Sequence, residues 1–202
     1  MRKNDIDTQQ HIRKAAAALF LEKGFDGTSI RDIAEKADTN VALLNYYFRS
    51  KQRLYDMIVK DYFDQAFAPA LKIFDEEGLN MNQTMERIVD EYTEFFLKHT
   101  DLPVFILNEM NRNPKSSLHI PIEELSKTRF VAQLPEGMKE EIGGVPYYVH
   151  MLINALSMLV FPVFLKPIFA ESRQLDRKQF LDLVNARKQM LPIWLNTMIE
   201  MV

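Results

Sequence analysis

The 202-residue sequence predicts an all-α protein in two parts, an N-terminal three-helix helix-turn-helix domain and a larger C-terminal helical domain. Three observations carry this expectation. Apolar residues recur at helical spacing through most of the chain, no stretch alternates as a half-buried strand would, and helix-start and helix-stop residues punctuate the sequence at short intervals. The head is expected over residues 1–50, a fourth helix at 51–68 serves as connector, and the body fills 51–202.

The first helix is expected from about Asp7 to Lys23. Ile12, Ala15, Ala16, Leu19 and Phe20 fall on one face, Asp7 or Thr8 can cap the start, and Gly24 suits a left-handed end. A second helix begins at Thr28 or Ser29 and buries Ile30, Ile33, Ala34 and Ala37. Asp38 and Thr39 fill the turn, Asp tolerating a left-handed backbone. Thr39 or Asn40 then caps a third helix that turns Leu44 and Phe48 inward. So short a helix is stable only when packed on its neighbours. Ser50 caps the fourth, through Leu54, Tyr55, Ile58, Val59, Tyr62 and Phe63, which Pro69 interrupts or bends. Further helices are expected at roughly 81–99, 102–112, 120–133, 146–169 and 176–200. Asp101-Leu102-Pro103, Asn113-Pro114, Leu134-Pro135-Glu136-Gly137 and Gly143-Gly144-Val145-Pro146 mark the breaks.

Composition narrows the function. With no cysteine, a disulfide framework, a thiolate metal site and a cysteine nucleophile are excluded. Hydrophobic residues make up 47% of the chain, which indicates a folded core. The polar N-terminus MRKNDIDTQQH lacks a signal-peptide core, and a cytoplasmic location is expected. Net charge is −3, but residues 1–60 hold 11 Lys+Arg and 8 Asp+Glu, a net of +3, against −6 for the remainder. A basic head on an acidic body is the asymmetry expected where one end meets phosphates.

Two short helices joined by a tight turn, over TSIRDIAEKADTNVALLNYYFRSK (Thr28–Lys51), are how many proteins set a helix into the DNA major groove. The hydroxyl of Thr28 or Ser29, at a helix N-terminus, and the Lys51 ammonium can meet phosphates, which set register without reading sequence. Base reading is expected from the outer face of the third helix: Val41, Ala42, Leu43, Tyr46, with Asn45 and the cap Asn40 beside them. Apolar side chains there suit thymine methyls. The bland readings are that Tyr46 and Tyr47 are core aromatics, Leu43 is buried, and Arg31 belongs to a solvated face.

Residues 12–54 resemble the DNA-binding domain of the TetR family of bacterial transcriptional regulators. Ala16, Leu19-Phe20 and Gly24-Phe25 match, as do Thr28-Ser29-Ile30 with Ile33-Ala34, and Leu44 with Tyr46-Tyr47-Phe48, Ser50-Lys51 and Leu54, ungapped over about forty residues. The chain departs from the family pattern at Asp38 and Thr39, where a glycine and a valine are usual, and at Asn45, where the family carries a tyrosine. The resemblance implies that Tyr47 contacts a phosphate and that Arg31 can reach a guanine edge. It also implies double-stranded operator DNA as partner and a homodimer through the last two long helices, about 146–169 and 176–200.

The body fits that implication. Val145–Leu165 is the most apolar run, but His150, Asn154, Ser157 and Pro162 interrupt it, so a face buried against a partner subunit is expected rather than a membrane span. The family's ligand core would fall between head and interface, among Phe95, Phe105, Tyr147 and Met151, with His99, Asn108, Glu109 and His150 as its polar groups. No pair has metal-ligand spacing, and neither metal nor cofactor is expected. His119 is expected in a loop. The expected function is a ligand-responsive, sequence-specific DNA-binding regulator, a repressor released from a palindromic operator by a small, largely apolar effector. Two alternatives stay open: a regulator with no small-molecule effector, and a helical enzyme acting on an apolar substrate. Against the enzyme, the sequence has no nucleophile–base pair, no paired carboxylates in an apolar setting and no glycine-rich phosphate loop.

Overall fold

The structure is a computed structural model that describes residues 3–115, 121–172 and 175–201. In chain order its helices are α1 (Lys3–Lys23), α2 (Ile30–Lys36), α3 (Val41–Phe48), α4 (Lys51–Phe74), α5 (Met81–Lys98), α6 (Leu102–Arg112), α7 (Ile122–Ser126), α8 (Arg129–Gln133) and α9 (Glu136–Lys139). A two-stranded hairpin follows, β1 (Glu141–Ile142) and β2 (Val145–Pro146), and then α10 (Tyr147–Glu171) and α11 (Arg177–Glu200). Among the described residues the structure is all-α apart from that hairpin. It packs as two compact units, Met1–Gln65 with Phe105–His119, and Ala66–Val104 with Ile120–Val202.

In the first unit Ile12, Ala16, Leu19 and Phe20 of α1, Ile33 and Ala34 of α2, and Leu44 and Phe48 of α3 are buried. The unit extends past residue 50, the boundary expected from the sequence. Leu54, Tyr55, Ile58, Val59 and Phe63 on α4 are buried too, so the first four turns of the connector are core rather than linker. The stretch from Phe105 onward joins the same unit: the Phe105 ring lies 4.5 Å from that of Tyr62 and 6.0 Å from that of Tyr55. Gly24 ends α1 at φ 71, and Asp38 carries the α2–α3 turn at φ 45, the left-handed conformation Asp tolerates better than most residues. α1 begins earlier than Asp7, at Lys3.

In the second unit α5, α10 and α11 pack on one another. The Phe74 and Phe130 rings stack at 5.0 Å, and Met85 and Met138 are fully buried. α4 does not break at Pro69. The Tyr92 hydroxyl donates to the Ala66 carbonyl at 2.5 Å and accepts from the Ala70 amide at 2.9 Å, bridging a donor and acceptor of the helix ladder beside the proline. The single helix expected at 120–133 is two, because Thr128 caps a second start. Its hydroxyl donates to the Leu125 carbonyl at 2.8 Å and accepts from the Val131 amide at 3.5 Å. Residue 120 and the loop placed around His119 lie outside the described residues. The hairpin turns on Gly143 and Gly144, at φ 65 and 85, the pair of positive dihedrals that a two-residue loop needs. Strands of two residues are too short to show alternation, so the sequence pattern missed them.

By length and composition α10 could cross a membrane, with mean hydropathy 1.8 over Tyr147–Phe169. Its two sides differ. Met151, Ala155, Leu159 and Pro162 face inward, whereas Ile153, Leu156, Phe161 and Ile168 lie outward, Phe161 being 59% exposed. α11 repeats the division: Val184, Leu191, Leu195 and Ile199 are buried, while Met190, Ile193, Trp194 and Met201 form an outer stripe in which Ile193 is 65% exposed. Apolar stripes on adjacent long helices, with buried opposite faces, are the pattern of an unfilled helix–helix interface.

Candidate nucleic-acid interface and effector cavity

α2 and α3 are set by caps that their own sequences supply. Ser29 Oγ accepts from the Asp32 amide at 3.1 Å, and the Asp32 carboxylate accepts from the Ser29 amide at 2.8 Å, a reciprocal capping box. Asn40 Oδ1 accepts from the Leu43 amide at 2.8 Å to start α3. Leu44 and Phe48 anchor α3 from beneath, which leaves Ala42, Asn45, Tyr46 and Arg49 exposed at i, i+3, i+4 and i+7. Tyr46 is 77% exposed, its ring edge-on to Tyr47 at 5.1 Å. A helix with its apolar side in a core and this stripe outward can be laid in a major groove.

The expected contact residues divide. Ser29, Arg31, Asn40, Ala42, Asn45 and Tyr46 are exposed; Val41, Leu43 and Tyr47 are half-buried. Thr28 departs from expectation. It is 1% exposed, and its hydroxyl donates to the Gly24 carbonyl at 2.8 Å and the Leu19 carbonyl at 3.2 Å, so its role is internal. Lys51 also turns inward. Its ammonium donates to the Phe25 and Thr28 carbonyls, each at 2.9 Å, and lies 4.1 Å from the centre of the Phe25 ring. Two carbonyls of the α1–α2 loop satisfy this charge, in place of the phosphate expected from the sequence. Arg49 was missed. It closes α3 at φ 64, and a positive dihedral on an arginine has no signature in the sequence.

The residues expected to line a ligand site do not come together as one set. Tyr147, His150 and Met151 do, lining a cavity of about 270 Å³ with Asn154 on α10, Ile142 on the hairpin and Met198 on α11. His150 Nε2 is 2.9 Å from the Ile142 carbonyl, tying hairpin to helix. Asn154 was legible in principle, being four residues after His150 and seven after Tyr147 on one helix face; Ile142 and Met198 are long-range partners and were not. The Phe95 ring on α5 and that of His99, its C-cap, lie 4.8 Å apart and tilted, outside this cavity's lining. Phe105, Asn108 and Glu109 belong to the other unit, where Phe105 and Glu109 are buried and Asn108 is exposed. Among the described residues no group of His, Asp and Glu could hold a metal ion.

Glu109 is the buried carboxylate of the head, 2% exposed. It accepts from the Tyr55 hydroxyl at 2.5 Å and from Arg112 Nε at 3.0 Å, with a second Arg112 nitrogen at 3.2 Å. Burial first, then the Glu109 carboxylate, pushes the Tyr55 phenol well above its usual 10.0.

Residues 12–58 match the family described as bacterial regulatory proteins, tetR family. Over these residues the chain is similar to the DNA-binding domain of the TetR family. It is a DNA-binding transcriptional regulator, and the relatives it matches are regulators rather than enzymes. Over 167 residues it is 28% identical to the probable HTH-type transcriptional regulator YttP of Bacillus subtilis (strain 168), covering 80% of this chain and 79% of that one. Over 49 residues it is 47% identical to IcaR of Staphylococcus aureus (strain Newman), the negative transcriptional regulator of the biofilm operon icaADBC, covering 24% of this chain and 26% of that protein. Among solved structures it is similar to HlyIIR, a hemolysin II transcriptional regulator, with a TM-score of 0.60 at 22% identity over 93% of this chain and 98% of that one. A putative TetR-family regulator from Mesorhizobium loti gives a TM-score of 0.60 at 18% identity over 97% and 98%.

The capping box makes α2 of this TetR-family head acid-sensitive. The Ser29 amide, and then its hydroxyl, hold the Asp32 carboxyl below the usual 3.8. A depressed folded-state value means the cap contributes fully above the ordinary carboxylate range and is lost as pH falls through the depressed value. Amide exchange at Ser29 should therefore accelerate between about pH 5 and pH 2 beyond its intrinsic pH trend, and Asp32→Asn should lack that extra acceleration. Identical profiles would show that the box is not formed in solution.

Proposed function

We propose that the chain is a ligand-responsive repressor that binds a palindromic operator as a homodimer and is released by a small, largely apolar effector. The observation that carries the DNA half is the outward stripe Ala42, Asn45, Tyr46 and Arg49 on α3, backed by Leu44 and Phe48. Tyr46 and Asn45 read base edges, Ala42 packs on a thymine methyl, and Arg31 reaches a guanine. Ser29 and Tyr47 take phosphates, and Lys51 positions the loop before α2. The negative role named for IcaR supports repression. The protein acts in the cytoplasm, where its operator is.

Two copies pair through the outer stripes of α10 and α11. Covering Phe161, Ile168, Ile193 and Trp194 removes apolar surface from water and gives the two-fold axis a palindrome requires, with recognition helices about 34–36 Å apart. Effector binds beside Tyr147, His150, Met151 and Asn154, in a cavity sized for a small ligand, with apolar walls and three polar side chains to orient it. Release requires the effector to prefer the dimer state whose recognition helices do not match the operator; equal affinity for both states would shift nothing.

Selection from a randomised duplex library should enrich a palindrome. Arg31→Ala should relax preference at one position per half-site at a cost of about 1–3 kcal/mol; a library that stays unenriched would refute sequence-specific binding. Ile193→Lys should convert the dimer to monomer in sedimentation and lower operator affinity, whereas a dimer that survives it would move the interface elsewhere. Met151→Trp should fill the cavity, so that compounds raising the melting temperature of the wild type and freeing its operator do neither in the variant. Release that persists in Met151→Trp would place the effector outside this cavity, and a wild type that no compound releases would favour the effector-free regulator.

A further inference from the structure

We infer that Glu109 on α6 is a positioning residue for DNA binding, acting through Tyr55, Arg112 and Phe25 on the loop that presents the N-terminus of α2. The inference rests on the DNA-binding reading and concerns a residue that touches no DNA. Glu109 alone among the described residues brings a carboxylate into the interior. Asn113 Nδ2 donates to it at 3.5 Å, and its two closer partners lead toward the same loop. The Tyr55 hydroxyl meets it at 2.5 Å, and the Tyr55 ring stands edge-on to Phe25 at 4.8 Å. Arg112, paired with Glu109, stacks its guanidinium 4.9 Å from the centre of the Phe25 ring and 4.7 Å from that of Tyr55. Phe25 is also met by the Lys51 ammonium at 4.1 Å, and Lys51 binds the carbonyls of Phe25 and Thr28. The next residue is Ser29, the cap of α2 and a phosphate contact in the proposed complex. Two cations thus approach one aromatic ring, and the buried carboxylate holds one of them.

The carboxylate therefore has an effect opposite in sign to its charge. A negative group in a phosphate-binding unit, acting only through its field, weakens binding, and neutralising it should tighten the complex. Acting through position, it aligns Arg112, Phe25 and the loop carrying Ser29, and neutralising it should loosen the complex.

The test measures operator affinity by fluorescence anisotropy for the full-length dimer, Glu109→Gln, Tyr55→Phe and the double variant, each with a thermal melt. Both single variants preserve shape: the first removes the charge and the second one hydroxyl. Each should bind the operator and a non-operator duplex about 10-fold more weakly, the scale of one lost charge-assisted hydrogen bond. Base preference should stay unchanged, and the double variant should be no weaker than the weaker single. Folded variants with wild-type or tighter operator affinity, or multiplicative losses in the double variant, would overturn the inference. Should Glu109→Gln fail to fold, Tyr55→Phe decides alone. A wild type that binds no operator would instead refute the DNA-binding reading.

Discussion

Glu109 brings a charge into the interior of the DNA-binding unit, and the arrangement around it follows from the need to satisfy that charge. A carboxylate is tolerated away from water only when paired and hydrogen-bonded, and removing one partner of a buried pair typically costs about 3–5 kcal/mol. Arg112 keeps a third of its side chain in solvent, which moderates that figure here. The same carboxylate orients Tyr55 and Arg112, whose ring and guanidinium hold Phe25. The apolar part of the head, Ile12, Phe20, Leu44, Phe48 and Phe63, supplies cohesion by burial, which has no direction. Direction comes from the polar cluster, which fixes where the loop before α2 must lie.

A shallow helix-turn-helix head needs such directional contacts. α2 has seven residues and α3 eight, too short to persist by propensity, so their orientation derives from caps and from the side chains beneath them. Ser29, Asp32 and Asn40 settle where each helix starts, Leu44 and Phe48 settle which way α3 faces, and Lys51 closes the loop before α2 by taking two backbone carbonyls. The outward stripe follows: once the buried positions are chosen, Ala42, Asn45, Tyr46 and Arg49 have no other direction to take.

The body solves a different problem. α10 and α11 bury one side within their own unit and leave long apolar stripes on the other. A single copy of the chain gains nothing from those stripes, which is why association of two copies is the economical reading of them. The α10 cavity sits on another part of the same helix, where Tyr147, His150 and Asn154 bring polar atoms to apolar walls. His150 reaches the hairpin carbonyl of Ile142, so a short and otherwise exposed hairpin becomes one wall of the cavity.

The sequence by itself determined the helical class, the helix-turn-helix, its caps and the inward faces of α1 to α4. These features depend on residues three to seven positions apart, whose geometry a helix imposes directly. It also carried the resemblance of the head to the TetR family, because the matching residues are spaced by local packing within the head. Tertiary structure alone decided the rest. Thr28 and Lys51 carry the residue types of phosphate contacts, yet backbone carbonyls capture both, those of Leu19 and Gly24 for Thr28 and the distant Phe25 and Thr28 for Lys51. Glu109 and Phe105 carry the types of a ligand pocket, yet they pack in the head against Tyr55 and Tyr62, more than forty residues away in sequence. Ile142 and Met198 meet Tyr147 only because the hairpin and α11 close on α10. Periodicity reports which face of a helix is buried. What that face is buried against depends on contacts between distant segments, and one sequence carries no local signal of them.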